Sequence, residues 1–155
     1  MIFSAKRFMV ISLAALLAGA CATVSLPQKA PVPSDLSILS PDPSLPDEVK
    51  ALSGKWSGGW GTRYRWNNEL YVEKVEKDSA RIILAWGEFN HACHCSSAWK
   101  REKASIQYSS DKASLEFHSS TGAMYFTLKK SHPDVMEGIL IKGNKKYFTR
   151  MKKVQ

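Results

Sequence analysis

Apolar and polar residues alternate with a period of two through most of residues 55–153, and this pattern constrains the fold more than any other feature. Leu115 and Phe117 alternate with polar neighbours, as do Met124, Phe126 and Leu128 a few residues later. A period of two is typical of strands that bury one face. The predicted strands cover residues 55–61, 69–77, 80–86, 99–108, 113–118, 123–129, 135–142 and 145–153.

Short turn sequences rich in Ser, Asp, Gly and Pro separate most of these strands, at 78–79, 109–111, 119–122, 132–134 and 143–144. No amphipathic helix pattern is present, apart from a possible helical turn at 46–52. Regular hairpin spacing favours an antiparallel meander, and eight strands can remove their exposed edges by closing. We therefore predict an all-β fold: an eight-stranded antiparallel up-and-down barrel, preceded by a signal helix and a disordered Pro-rich tether.

The chain begins with an export signal. Lys6 and Arg7 precede an apolar run at 8–17 that is too short to span a bilayer, and small residues lead into Cys21. These small residues and Cys21 resemble the bacterial lipobox. The resemblance implies removal of residues 1–20, acylation of Cys21 and anchoring in the cell envelope. Because Ala22 rather than Asp follows, it also implies the outer membrane, facing the periplasm. Ordinary cleavage after small residues is the alternative.

A proline-rich segment follows the signal. Six of the seven prolines lie within residues 22–47, without helical or alternating periodicity. Such a composition predicts a semi-stiff tether, and a loop packed on the following domain is the alternative. The predicted organisation is a signal peptide at 1–20, the lipidated cysteine with its tether at 21–47, and one domain at 48–155.

The positive charge is concentrated in this domain. The whole chain has a formal charge of +8, and residues 48–155 contain 19 basic and 11 acidic side chains. A basic surface attracts anionic lipid headgroups or acidic ligands. Nucleic acid is not expected as a partner because export separates the protein from it. A solvated surface that aids solubility is the alternative.

The start of the first strand resembles a known family. Gly54-x-Trp56 matches the G-x-W pattern of calycins, the lipocalin and avidin-like barrels, and Arg150 lies in the last strand. The resemblance implies that Trp56 closes one end of the barrel and packs against Arg150. The alternative is an ordinary core tryptophan in an unrelated β-sandwich. Avidin-like biotin contacts would fall at Gly58 and Thr62, and Gly58 has no side chain, so biotin binding is not supported.

One short segment is dense in metal-ligating and redox-active residues: His91, Cys93, His94 and Cys95. A Cys93–Cys95 disulfide, free or intermolecular thiols, and a zinc or copper site all remain open. Acylation of Cys21 would leave an even pair, which favours the disulfide over a metal site. The surrounding loop, residues 88–98, is the first place in which to look for a ligand contact.

No residue pattern predicts catalysis. Glu69, Glu73 and Glu76 lie along one strand and are interpreted as solvated, and no nucleophile elbow or phosphate-binding glycine loop is present. We expect a protein that is not an enzyme and uses no cofactor. The tryptophans are interpreted as core residues rather than the lining of a cavity: Trp60, Trp66, Trp86 and Trp99.

Together these features favour an envelope lipoprotein with a non-catalytic binding module. Its expected ligand is a small apolar or anionic molecule, or a component of the envelope. The alternative is a protein–protein interaction factor in envelope assembly, with a basic surface, a packed barrel and no ligand cavity.

Overall fold

Eight antiparallel strands close into a barrel in which each strand pairs with its neighbours in sequence and β8 pairs with β1. The computed structural model describes residues 29–61, 66–88 and 96–155. The predicted strand order and closure are confirmed. The strands are β1 Gly54–Trp60, β2 Trp66–Val75, β3 Ser79–Trp86, β4 Ala98–Ser109, β5 Lys112–Ser119, β6 Gly122–Lys129, β7 Val135–Lys142 and β8 Lys145–Val154.

The register of the strand pairs places the apolar residues of neighbouring strands side by side, and together they form the interior of the barrel. Trp56 lies opposite Leu70, which lies opposite Leu84, and all three are buried. On the other side of the barrel Leu115 lies opposite Phe126. Because side chains alternate across each strand, a closed barrel collects one row from every strand on its inside. The alternation read from the sequence is thus the inside–outside pattern of the barrel.

The connections between strands differ in length. Tight turns join β4 to β5, β5 to β6 and β7 to β8; Gly143 in the last of them has φ +55°, which glycine adopts without strain. The longest connection, residues 87–97, lies at the end where β1 finishes, as does the connection 61–65. This end is called the loop end below.

A short helix covers the opposite end. Helix α1, Asp47–Ala51, follows Pro46 and buries Val49 completely, and Leu52 immediately after it is equally buried. Both side chains belong to the same apolar cluster as Trp56. The helical turn expected at 46–52 is therefore the cap on this end, called the capped end below.

Residues 29–46, called the strap, run over the outer wall of the barrel and reach the interior cluster at the capped end with Leu45. Ala30 and Leu36 pack on Tyr71, Ile83 and Ala85, which form an apolar patch on the outside of β2 and β3. The described part of the predicted tether is therefore packed on the domain, and the prediction of a disordered tether is wrong for these residues. The reason is that β3 is apolar on both faces, so its outer face needs a cover. The signal helix and residues 21–28 lie outside the described residues.

Backbone and charged contacts hold the strap in place. The Leu39 N–H donates to the Glu73 carbonyl at 2.7 Å, where a β-bulge interrupts β2. Both terminal guanidinium nitrogens of Arg101 donate to the Asp35 carboxylate, at 3.1 and 3.0 Å. The strap is thus tied to β2 and β4.

Candidate functional site

Large side chains pack the interior of the barrel. The Phe126 ring stacks on Phe117 at a centroid distance of 5.9 Å and meets the Trp60 ring edge-on at 6.0 Å. Gly138 faces this cluster, and a Cβ there would lie 2.7 Å from Phe126 and 2.5 Å from Thr149. These rings and the buried side chains at the capped end belong to one continuous apolar cluster inside the barrel.

Trp56 is buried at the capped end, and the cation over its indole is not the residue that the family resemblance implies. The Trp56 indole is fully buried and its Nε1–H donates to the Leu52 carbonyl at 2.9 Å. The Lys153 ammonium lies 5.1 Å from the centre of the indole and donates to the Ala51 carbonyl at 2.9 Å. Burial lowers the pKa of Lys153. A cation over the indole, bonded to a nearby carbonyl, is the arrangement expected of Arg150.

Arg150 lies on the outside of the barrel instead, so the expected Trp56–Arg150 pair is not formed. Register places Lys153 opposite Trp56 and Arg150 opposite Gly59, on the other face of the wall. The Arg150 side chain is 71% exposed, and its guanidinium lies 3.5 Å from the Glu137 carboxylate. The physical reason is parity, because residues 150 and 153 point to opposite faces of one strand.

Three tryptophans gather at the loop end of the barrel. Trp60 and Trp66 are register partners on β1 and β2, and Trp86 follows on β3 opposite Asn68. The Trp66 indole donates to the Gly87 carbonyl at 2.8 Å, and the Trp86 indole donates to the Ser96 carbonyl at 3.1 Å. These bonds fix two indoles against the residues that flank the longest loop. Trp60 is buried, as expected of a core residue, whereas Trp66 and Trp86 are only partly buried.

Trp99 does not share this interior. It points outward on β4, is 41% exposed, and has the Arg101 guanidinium 5.9 Å from its ring centre. Trp86 and Trp99 therefore lie on opposite faces of the wall and do not line one cavity. The interpretation of Trp99 as a core residue is wrong.

The predicted chemistry of the longest loop lies outside the described residues. His91, Cys93, His94 and Cys95 belong to the interval 89–95, and Cys21 belongs to the interval 1–28. The disulfide, its metal-binding alternative and lipidation stay predictions. Within residues 29–61, 66–88 and 96–155, no group of three or more His, Cys, Asp and Glu side chains is placed to hold a metal ion.

Two carboxylates of β2 that the sequence analysis interprets as solvated are buried, on the side of the barrel that the strap covers. Glu73 is 1% exposed, and the Arg101 and Arg81 guanidiniums donate to it at 2.9 and 3.2 Å. Arg101 thus bridges Glu73 and Asp35, and its guanidinium holds the pKa of Asp35 below the ordinary value of 3.8. The sequence carries one signal for this burial. Arg81 and Arg101 lie on neighbouring predicted strands, and a buried carboxylate requires such partners.

Glu69 is the second buried carboxylate. It is 6% exposed, accepts a hydrogen bond from the Tyr71 hydroxyl and forms an ion pair with Lys55 at 3.0 Å. Burial, together with the bond to Glu69, raises the pKa of Tyr71. Glu76 is solvent-exposed at 55%, as predicted. The two buried carboxylates of β2 are therefore part of the packed outer wall, each held by a basic partner.

An open groove runs over the outer wall along β1. Its volume is about 1040 Å³, and its floor includes Ser57, Gly58 and Gly59. Phe148, Arg150 and Lys152 of β8 line one side, with Ile139 and Glu137 of β7 beyond them, and Asn67 of β2 lies at the other side. Phe148 is 62% exposed, the most exposed of the large hydrophobic side chains among the described residues. These residues form the groove referred to below.

Comparisons with known proteins add no family to this description, because no protein-family model and no curated protein matches the chain. Among the described residues, no helix has the length and apolar character needed to cross a membrane. The geometry of the barrel wall and its two ends is therefore the basis for a function.

Proposed function

We propose that this protein is a membrane-anchored, non-catalytic binding protein that engages its partner with the outside of the barrel. The observation that carries the proposal is the contrast between the packed interior and the outer wall. Phe126 is fully buried inside, whereas Phe148 is exposed outside between basic residues. A filled barrel is a rigid platform, and an exposed apolar group beside cations is typical of an interaction surface.

The proposed anchor is an acylated Cys21 in the outer membrane of a bacterial envelope. Its support is the lipobox resemblance and Ala22. The strap adds a constraint, since it is packed from residue 29 onward. Eight residue steps separate Cys21 from Lys29, and a fully extended chain covers at most about 28 Å over that distance. The barrel would then stay close to the bilayer surface, with the groove within reach of other envelope proteins.

Mass spectrometry of the processed protein under native conditions tests the anchor and the interior together. We expect a chain that begins at Cys21, carries acyl groups and brings no small molecule with it. A Cys21→Ser variant should lose the acyl mass and leave the membrane fraction. Processing at another residue would contradict the anchor, and a stoichiometric small molecule would contradict the packed-barrel function.

Photo-crosslinking in cells tests which face binds a partner. A photoreactive amino acid at Lys146, beside Phe148 on β8, should give one discrete crosslinked species. The same group at Gln107, an exposed position on β4, is the matched control and should give none. Equal products from both positions, or none from Lys146, would contradict binding through the outer wall near the groove.

A second function, binding of a small planar or apolar ligand, is favoured by the tryptophans at the loop end. Trp66 and Trp86 are only partly buried there and are held by loop carbonyls. Indoles offer flat apolar faces on which a ring of a ligand can stack. Quenching of tryptophan fluorescence by a candidate ligand, abolished in Trp86→Leu and retained in Trp99→Leu, would support this function over the first.

A further inference from the structure

The groove has the dimensions of a single extended chain. Its floor is the outward row of β1, where Ser57 and Gly59 leave almost no side-chain volume. The two flanking strands, β8 and β2, are two strand spacings apart, about 9.6 Å. The floor spans residues 57–61, five residues that correspond to a length of about 17 Å. One extended segment fits between such walls, whereas a flat membrane surface would pass over the recessed floor.

The wall on the β8 side is apolar at one end and cationic along the rest. Phe148 and its cross-strand partner Ile139 form the apolar end, and Arg150 and Lys152 follow at intervals of two residues. Residues two apart on one strand face are separated by about 6.7 Å. An extended partner chain has the same repeat, so its alternate side chains meet these three residues in register.

The groove has a net positive charge. Glu137 is the one carboxylate among the described residues that line the groove, and it lies 3.1 Å from the Lys129 ammonium and 3.5 Å from Arg150. These two cations, Lys129 foremost, lower the pKa of Glu137, so it stays ionised and paired. Arg150 and Lys152 exceed this single negative charge. A partner with negative charge is therefore complementary to the groove.

The strand ladder determines the mode of binding. β1 is hydrogen-bonded to β2 on one side and to β8 on the other, so it has no free edge to which a partner strand can add. Recognition of a partner must therefore come from contacts with the side chains that project from the outer wall. The pattern required of the partner is an apolar residue followed by acidic residues at every second position.

We propose that the groove binds an extended acidic segment of a partner protein, with an apolar side chain on Phe148 and carboxylates on Arg150 and Lys152. This proposal rests on the function proposed above, and it adds the site and the chemistry of the partner. The alternating spacing of the three residues and the single-chain width are what favour a peptide over a lipid surface.

The probe is a fluorescent ten-residue peptide in which Glu alternates with Ser and one Leu lies two residues from the first Glu. Anisotropy is measured with the processed protein in mild non-ionic detergent. We expect saturable binding that weakens as salt is raised, and loss of binding when Gln replaces Glu in the peptide. Binding of the Gln peptide with equal affinity would overturn the proposal.

Variants locate the site. Lys152→Glu and Phe148→Ser, both at exposed positions, should each weaken binding by about tenfold or more, the scale of a central interface residue. Lys103→Glu makes the same charge change at an exposed position on β4 and should leave affinity unchanged. Gly59→Val fills the floor without touching a charge and should also weaken binding; Gly59 is not among the glycines with positive φ. Circular dichroism confirms that each variant is folded.

Vesicles of phosphatidylglycerol distinguish the membrane from a peptide. If Lys152→Glu abolishes binding to the vesicles while no peptide binds, the groove recognises lipid and the proposal is wrong. If the peptide fails but crosslinks from Lys146 persist, only the partner chemistry is wrong. If both fail, the proposed function fails as well.

Discussion

At the scale of single residues, the capped end shows how one cation is selected over another. The Lys153 ammonium combines an indole face with a carbonyl oxygen, two favourable contacts for a positive charge at a partly desolvated position. Arg150 is the better residue for such a site by chemistry, since its guanidinium is planar. Arg150 cannot occupy this site, because its position on β8 points its Cβ away from the interior.

Replacing Lys153 by Met retains the aliphatic stem and removes the charge. We expect the free energy of unfolding to fall by about 1 kcal/mol, the scale of one hydrogen bond and one cation–π contact at a partly exposed site. Arg150→Met is the matched control and should change it by less than about 0.5 kcal/mol. Urea denaturation measures both. A larger effect for Arg150→Met would contradict the assignment of the partner.

The sequence contained part of the information needed for this assignment. Its alternation groups Arg150 with Phe148 and Lys152 on one face of β8, opposite Met151. Continuing the Met151 row by two residues reaches Lys153. The family pattern favoured the arginine, whereas the local period favoured the lysine. Only the β1–β8 register shows that Lys153 lies opposite Trp56, because pairing of distant strands is not a local property.

At the scale of elements, the strap is held by contacts of different character. Its apolar residues cover β2 and β3, and its Asp35 carboxylate accepts from Arg101. The ion pair is exposed and contributes less than its geometry suggests, because solvent screens it. The hydrogen bond from the Leu39 N–H to the Glu73 carbonyl of β2 forms only when the strap is docked, so exchange of this amide hydrogen reports on docking.

Acid should loosen the strap before it unfolds the barrel. The pKa of Asp35 is lower in the folded protein than its ordinary value of 3.8, because Arg101 stabilises the carboxylate. The stabilisation is fully present above that value and is lost as pH falls through the folded pKa. Hydrogen exchange at the Leu39 amide, corrected for its intrinsic pH dependence, should therefore accelerate below pH 3.8 while amides of β5 and β6 stay protected.

Asp35→Asn should accelerate Leu39 exchange already at pH 6 and remove most of its further acceleration in acid. Asp134→Asn, which lies outside the strap, is the control and should change neither. Slow Leu39 exchange in Asp35→Asn at both pH values would show that apolar packing alone holds the strap.

The sequence predicts the strands of the barrel better than it predicts the strap. All eight strands follow from alternation and turn residues, which are local properties of the chain. The packing of the strap does not, because proline-rich segments have no periodicity to read. One signal was present in β3, where Ile83 and Ala85 are apolar on the face opposite Ile82 and Leu84. A strand that is apolar on both faces must be covered on both.

At the scale of the whole molecule, closure depends on the seam between β1 and β8. Gly58 lies on this seam, where a Cβ would be 2.5 Å from the Arg150 carbonyl oxygen and 3.0 Å from the Met151 Cα. These are backbone atoms of the partner strand, which cannot turn aside as a flexible side chain can. The glycine therefore permits close approach of the two strands that complete the barrel.

Gly58→Ala should lower the free energy of unfolding by about 1–3 kcal/mol, since the seam must open to admit the methyl group. Ser57→Ala, the adjacent outward position on the same strand, should change it by less than about 0.5 kcal/mol. Thermal unfolding followed by circular dichroism measures both. An unchanged melting temperature in Gly58→Ala would contradict the tight seam.

The candidate groove emerges only at this scale. The groove is built from three strands, with Ser57 and Gly59 from β1, Phe148 and Lys152 from β8, and Ile139 from β7. No contiguous sequence motif therefore indicates the groove. The domain's positive charge was evident in the composition, whereas its place on the surface was not. The sequence pattern favours the loop at 88–98 as a site of ligand contact, and the predictions for its thiols and histidines stay predictions.

The amino-acid sequence by itself determined the alternating strands, the turns between them and an up-and-down order, because period and turn chemistry act over a few residues. The tertiary structure decided which cation faces Trp56, why Glu73 can be buried, where the strap lies and how small residues become a groove. These outcomes depend on register across the closing seam and on contacts between segments far apart in sequence. Such contacts form only when the whole chain has folded.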